Sequence, residues 1–189
     1  MLTVVPFLLF TLTAVALARV RREFARERTL SATSGVLVWL IYLGLTALVS
    51  YYAWRSLWAL PITQPLLTVV GTLLSLLGAL LFGLAVYQFR SLSRMSGQRE
   101  DDLITGGVYR TSRNPQNVGW LLFLLGVSLL GGSAAGVALT LAFWLILHIY
   151  LVTVEEPHLR EVFGERYRRY ISATPYYLGY SNWKENLHG

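Results

Sequence analysis

Charged residues divide the chain into long apolar stretches. No Asp, Glu, Lys or Arg occurs in residues 1–18, 29–54, 56–89 or 114–154, runs of 18, 26, 34 and 41 residues. About 20 apolar residues cross the hydrocarbon core of a bilayer as a helix. The first two runs therefore predict one span each, from about Leu2 to Ala18 and from about Ser34 to Ala53. In the third, Trp58, Pro61 and Pro65 mark a turn ahead of a helix from about Leu66 to Tyr87, because proline interrupts a helix ladder. The fourth is too long for one helix. Gly131-Gly132-Ser133-Ala134-Ala135-Gly136 divides it into a shorter helix from about Val118 and a longer one ending near Val154. The Gly132 and Gly136 pair is read as part of a hairpin turn in preference to a dimerisation motif. Beyond it, Leu159, Val162, Phe163, Tyr167, Tyr170 and Ile171 recur at helical spacing against Arg160, Glu161, Glu165, Arg168 and Arg169. That pattern predicts an amphipathic helix along the membrane surface. The fold class expected is all-α: an integral membrane protein with five transmembrane helices plus a C-terminal amphipathic interfacial helix.

Composition agrees, with 54% hydrophobic and only 14% charged residues in 189, against about a quarter charged in a soluble domain. The absence of cysteine excludes disulfides, thiolate metal sites and a cysteine nucleophile, and no metal site is expected. A net charge of +6 raises nucleic acid as a partner, but the placement of the charges explains it otherwise. Fifteen of the 16 basic residues follow the first, third and fifth predicted helices, and Arg55 alone lies elsewhere. By the positive-inside rule the N-terminus is outside and the C-terminus cytoplasmic. Basic residues follow the first apolar stretch and none precedes it, so residues 1–18 are expected to be a retained span and not a cleaved signal peptide. All ten acidic residues share the three basic segments, which puts every candidate for polar chemistry on one cytoplasmic face.

Three features on that face offer chemistry. Between Glu100 and Gly119, acidic, glycine, aromatic and arginine residues are packed between two spans. Asn114-Pro115 reads as an N-cap and first helical residue, so Arg113 and the free N–H groups of that helix start form a place for an anion, or else an arginine loop that only sets topology. Second, Glu155 and Glu156 are expected at the inner end of the fifth helix, where Pro157 should kink the chain. Negative charge is disfavoured at a helix C-terminus, so the pair calls for a cation: Arg110 and Arg113, or a ligand. Third, His148 is the one ionisable residue, tyrosines aside, well inside a predicted span; it is either a hydrogen-bonded packing residue or part of a site.

Taken together, Gly107-Val108-Tyr109, Arg113-Asn114-Pro115, Gly119, Glu155-Glu156 with Leu159, and Phe163-Gly164 with Tyr167 and Tyr170 resemble the isoprenylcysteine carboxyl methyltransferase and phospholipid methyltransferase superfamily. These are integral membrane enzymes that use S-adenosyl-L-methionine. The resemblance spans about residues 98 to 176, and the first two helices contribute nothing to it. It implies an N-terminal three-helix region, 1–97, and a catalytic region, 98–189, with cofactor contacts at Asp101, Asp102, Leu103, Ile104, Tyr109, Asn114, Pro115, Gln116, Asn117 and Glu155. Arg113, Glu156 and His148 are the candidates for catalytic roles, the latter two as general bases where an amine or hydroxyl is methylated. Asn114 and Asn117 stand where the eukaryotic branch has histidine and tyrosine. Leu151 stands where the prenylcysteine enzymes have an arginine tied to substrate, which directs attention away from prenylated protein C-termini. The expected acceptor is a lipophilic or small membrane-accessible carboxylate, amine or thiol. The alternative function is a non-enzymatic scaffold or small-solute transporter, but no internal repeat or polar lining along the spans points to transport.

Overall fold

The computed structural model describes residues 4–27, 29–89 and 103–179, and Asp101 and Asp102 lie outside them. The described residues form seven α-helices: α1 Val4–Glu27, α2 Ala32–Trp54, α3 Gln64–Phe89, α4 Pro115–Leu130, α5 Ala134–Tyr150, α6 Glu156–Phe163 and α7 Glu165–Ala173, with a 3-10 turn at Gly107–Arg110. By length and composition, three stretches are apolar enough to cross a membrane: Ala32–Trp54, Gln64–Gln88 and Ala134–Phe163. Of the five expected spans, α4 is shorter at 16 residues, about 24 Å long, and the last turns of α1 carry Arg19, Arg21, Arg22, Glu23 and Arg26.

Helices α1 to α5 run up and down. At one end the segment after α2 is pinned to the turn between α4 and α5: Leu60 N donates to Gly132 O at 2.8 Å, Ala134 N donates to Trp58 O at 3.0 Å, and Ser133 Oγ donates to Leu57 O at 2.8 Å. Gly132 turns there with φ +59, so the hairpin reading of the glycine cluster holds. Ser133 also caps α5 by accepting from Gly136 N.

Helix α4 is the centre of the bundle, with Leu124 and Ser128 fully buried, and it contacts α2, α3 and α5. Its contact with α3 is almost backbone to backbone. A Cβ on Gly119 would sit 2.5 Å from Phe82 N, and one on Gly71 would sit 2.9 Å from Gly126 O; one on Gly78 would collide with Phe123 N. Small residues let helices approach this closely where no hydrophobic effect drives them together. The opposite face of α3 presents Leu66, Val69, Leu73, Leu76, Leu80 and Leu84, all exposed.

At the polar end, α1 runs past its apolar stretch to Glu27, helped by the Arg19–Glu23 pair at i,i+4. The Glu23 carboxylate accepts from Ser31 N at 3.0 Å, Ser31 Oγ at 3.1 Å and Ser34 Oγ at 2.7 Å, closing the α1–α2 corner. Burial acts to raise its pKa, but these hydrogen bonds and Arg19 overcome that and hold it at about 2.

Two expectations need correction here. The fifth helix does not end near Val154. A π-helical turn at Leu151–Glu155 widens the ladder where the proline lacks its N–H, and the chain continues helically to Phe163. Glu155 and Glu156 therefore do not sit at a free helix C-terminus. Nor is the C-terminal segment one amphipathic helix: Gly164, at φ 52 and ψ −122, divides it into α6 and α7.

Candidate functional site

The polar end encloses a cavity of about 210 Å³ between α1, α2, α4, α5 and the α6–α7 roof. Its polar wall is built from two chain reversals. The segment preceding α4 turns at Gly107, with φ +54, a backbone conformation open to glycine, and Gln88 of α3 packs where a Cβ would point. Tyr109 and Arg113 follow on the way into α4. Helix α4 begins at Pro115 as expected, but Asn114 makes no side-chain cap. It donates instead through Nδ2 to Tyr176 O at 3.3 Å.

The second reversal is the strap after α7. Residues 174–179 fold back over the cavity: Arg113 N donates to Pro175 O at 3.0 Å and Gly179 N to Thr111 O at 3.3 Å. Tyr170 Oη supports the same layer from α7 by donating to Tyr109 O at 2.9 Å. The strap leaves Tyr176 in the cavity wall, with the Arg113 guanidinium 4.7 Å from its ring centroid.

Glu155 and Glu156 reach the cavity from the π turn and the start of α6. Glu156 is spent on ion pairs, 3.3 Å to Arg113 and 2.7 Å to Arg160, whereas the expected Arg110 pairing is not the one formed by Glu156. Burial pushes the hydroxyls of Tyr109, Tyr167 and Tyr176 well above the ordinary tyrosine range, and the Glu155 charge pushes each further up. Three tyrosines on three segments thus line the same cavity as one carboxylate and stay protonated. Aromatic faces beside a carboxylate suit a desolvated cation, and Arg113 beside the α4 N-terminus suits an anion. The remaining wall is apolar and comes from α1, α2 and α5, including Ala16, Leu17, Val38, Ile41 and Leu147, with Leu151 at the π turn.

Of the residues expected to form the site, Leu103, Ile104, Tyr109, Arg113, Asn114, Gln116, Asn117, Glu155 and Glu156 meet in this cavity. Pro115 is buried behind it. His148 is elsewhere: its Nδ1 lies 2.5 Å from Tyr177 Oη, and its ring packs near Trp144. Among the described residues no group of His, Asp or Glu is placed to hold a metal ion. Sequence reasoning missed that α1 and α2 supply a wall, including Phe24, Trp39 and Tyr42. The aromatic pair Trp39 and Tyr42, three apart on one helix face within an apolar run, was the available signal. The strap had a similar one in Tyr176-Tyr177.

No solved structure matches the chain. Among curated proteins, a probable protein-S-isoprenylcysteine O-methyltransferase of Oryza sativa is 31% identical over 110 residues, 56% of this chain and 57% of the relative. The protein-S-isoprenylcysteine O-methyltransferase of Schizosaccharomyces pombe is 34% identical over 76 residues, 39% of this chain and 31% of that one. Phosphatidylethanolamine N-methyltransferase B of Dictyostelium discoideum is 33% identical over 70 residues, 37% and 35% of the two chains. The chain thus spans a little over half the length of the rice relative. The family model described as phospholipid methyltransferase matches residues 66–166, from the start of α3 through α4, α5 and the glutamate pair into α7. This chain belongs to the phospholipid methyltransferase family.

Proposed function

We propose that the protein is a membrane-embedded methyltransferase that binds S-adenosyl-L-methionine in the cavity and methylates a lipophilic acceptor. One observation carries the reading: a single cavity joins a carboxylate, several tyrosines, an arginine beside a helix N-terminus, and a long apolar wall. The cofactor combines a sulfonium, an ammonium and a carboxylate with an apolar adenine. The residues fit those demands: among the described residues Arg113 Nε is buried with no hydrogen-bond partner, and Glu155 shares the cavity wall with Tyr109, Tyr167 and Tyr176. When bound, the cofactor supplies the methyl group.

In this proposal Glu155 and its tyrosines hold the cationic end, Arg113 and α4 hold the carboxylate, and Leu103 and Ile104 flank the apolar part. Asp101 and Asp102, outside the described residues, are proposed cofactor contacts from the resemblance alone. The α6–α7 roof and the strap exclude water, and the chain's contribution is to orient the two reactants, a term that reaches about 7–11 kcal/mol in well-aligned systems. Glu156 is a positioning residue for Arg113. The acceptor enters along the apolar wall between α1, α2 and α5, and His148, outside the cavity, anchors the strap through Tyr177.

We further propose five spans, with α1 and α4 added to the three long apolar helices, the N-terminus outside, and the site and C-terminus cytoplasmic; 1–97 supplies the acceptor wall and 98–189 the cofactor half. Equilibrium binding of S-adenosylhomocysteine to the detergent-purified chain tests the function. Saturable binding at one site per chain is expected, and a folded protein that does not bind removes the proposal.

A further inference from the structure

Two tyrosines on separate elements decide which atoms the first turn of α4 shows to the cavity. Tyr42 Oη on α2 donates to Asn117 Oδ1 at 2.9 Å, and Tyr109 Oη donates to Gln116 Oε1 at 2.9 Å. A side-chain amide has one acceptor oxygen and one donor nitrogen. With each oxygen held by a hydroxyl, the orientation of both amides is set, and among the described residues neither NH2 group has a hydrogen-bond partner. Asn117 is 5% exposed and lines the cavity. Beside them Arg113 Nε is likewise buried without a partner, although the other end of its guanidinium is held by Glu156. Arg113 and the two amides at the start of α4 therefore line one cavity.

Neither tyrosine is loosely placed. The Tyr42 ring lies 4.4 Å from Trp120, Trp120 Nε1 donates to Thr46 Oγ1 at 3.1 Å, and Thr46 Oγ1 donates back to Tyr42 O at 2.8 Å, closing a brace between α2 and α4. Tyr109 is 3% exposed and its carbonyl is held by Tyr170. Tyr42 also lies outside the matched family segment, 66–166.

We propose that Tyr42 and Tyr109 are positioning residues that fix Asn117 and Gln116 as donors, so that the first turn of α4 and Arg113 Nε together receive the carboxylate of an amino-acid-bearing ligand. This rests on the cofactor reading of the cavity. Placing an acceptor at either amide would repel a carboxylate in a site where water cannot screen it.

The test is calorimetric titration of the full chain in detergent with two probes: S-adenosylhomocysteine, which carries the carboxylate, and methylthioadenosine, which lacks the whole amino-acid arm. Tyr42→Phe keeps the ring stack and removes the hydroxyl. It is expected to raise Kd for S-adenosylhomocysteine roughly five- to twentyfold and to leave Kd for methylthioadenosine within about twofold. Asn117→Asp, which still accepts from Tyr42 but no longer donates, is expected to lose at least as much for the first probe, and adding Tyr42→Phe to it to cost little more. Thermal unfolding of each variant checks that it is folded. Unchanged S-adenosylhomocysteine affinity in folded Tyr42→Phe, or equal loss for both probes, overturns the proposal. A folded wild-type chain that binds neither probe overturns the cofactor reading itself, and this inference with it.

Discussion

Replacing Glu156 with glutamine separates two roles that the sequence leaves open for it. In the structure its carboxylate is 14% exposed and lies 3.3 Å from Arg113, itself 15% exposed, and 2.7 Å from Arg160, which is 54% exposed. These contacts are unequal in energy. Breaking a buried ion pair from one side leaves an uncompensated charge and costs roughly 3–5 kcal/mol, whereas an exposed i,i+4 pair contributes about 0.3–0.5 kcal/mol. Beyond a hydrogen bond with the Tyr167 hydroxyl, Arg113 has little to fall back on: among the described residues its Nε has no partner, and the Tyr176 face compensates by only about 1–2 kcal/mol. Glu156→Gln should therefore destabilise the fold by about 3 kcal/mol, on the order of 150-fold in the unfolding equilibrium. Arg160→Ala should cost no more than about 0.5 kcal/mol. Removing Arg113 as well, in Arg113→Met/Glu156→Gln, should recover part of the loss, because the stranded charge is gone. Reversible unfolding in mixed micelles measures all four proteins, with methyl transfer followed in parallel. A stable Glu156→Gln with turnover abolished would refute the positioning role and make Glu156 a base. Equal destabilisation by Glu156→Gln and Arg160→Ala would refute the assignment of the energy to the Arg113 contact.

Four other substitutions, with Arg55→Ala as a control, report on separate parts of the structure. Glu155→Gln is expected to weaken S-adenosylhomocysteine binding by about tenfold or more, the loss of one charge-assisted contact, while Arg55→Ala at the opposite end leaves it unchanged; calorimetry compares them. Gly78→Val, whose Cβ would collide with the backbone of Phe123, should destabilise the α3–α4 seam by at least about 1–3 kcal/mol, read as a lowered Tm with reduced yield of folded protein. Gly107→Ala meets both a positive φ and Gln88, and should lower S-adenosylhomocysteine affinity through Tyr109 while leaving the seam intact. The Glu23 carboxylate, held at about 2 against 4.5 in the open chain, contributes stability that is fully present above pH 4.5 and lost as pH falls toward 2. Glu23→Gln should therefore lie below wild type in Tm near pH 7 and converge with it in acid, and parallel curves would contradict the hydrogen-bond count at the α1–α2 corner.

The helices were readable because the apolar runs are long and the breakers are strong: Pro61 and Pro65 before α3, the glycine cluster between α4 and α5. What misled was local reasoning about single residues. The glutamate pair before Pro157 suggested a helix end near Val154, yet a π turn just before the proline absorbs the missing N–H and the chain continues helically to Phe163. The apolar spacing from Leu159 to Ile171 suggested one helix, yet Gly164 turns the chain at φ 52. Half of the candidate site was legible, since Tyr109, Arg113, Asn114 and Glu155 lie in dense polar islands that interrupt the apolar sequence. The other half was not. Tyr42 meets Asn117 from 75 positions away, and Tyr176 reaches Arg113 only because the strap folds back. No periodicity encodes a contact at that separation.

The most direct test of the central claim is calorimetric titration of S-adenosylhomocysteine into the purified chain, run beside Glu155→Gln and Tyr42→Phe. The account predicts one saturable site per chain, abolished or strongly weakened in Glu155→Gln and moderately weakened in Tyr42→Phe. Absence of binding by a folded wild-type chain, or equal binding by all three proteins, would contradict it.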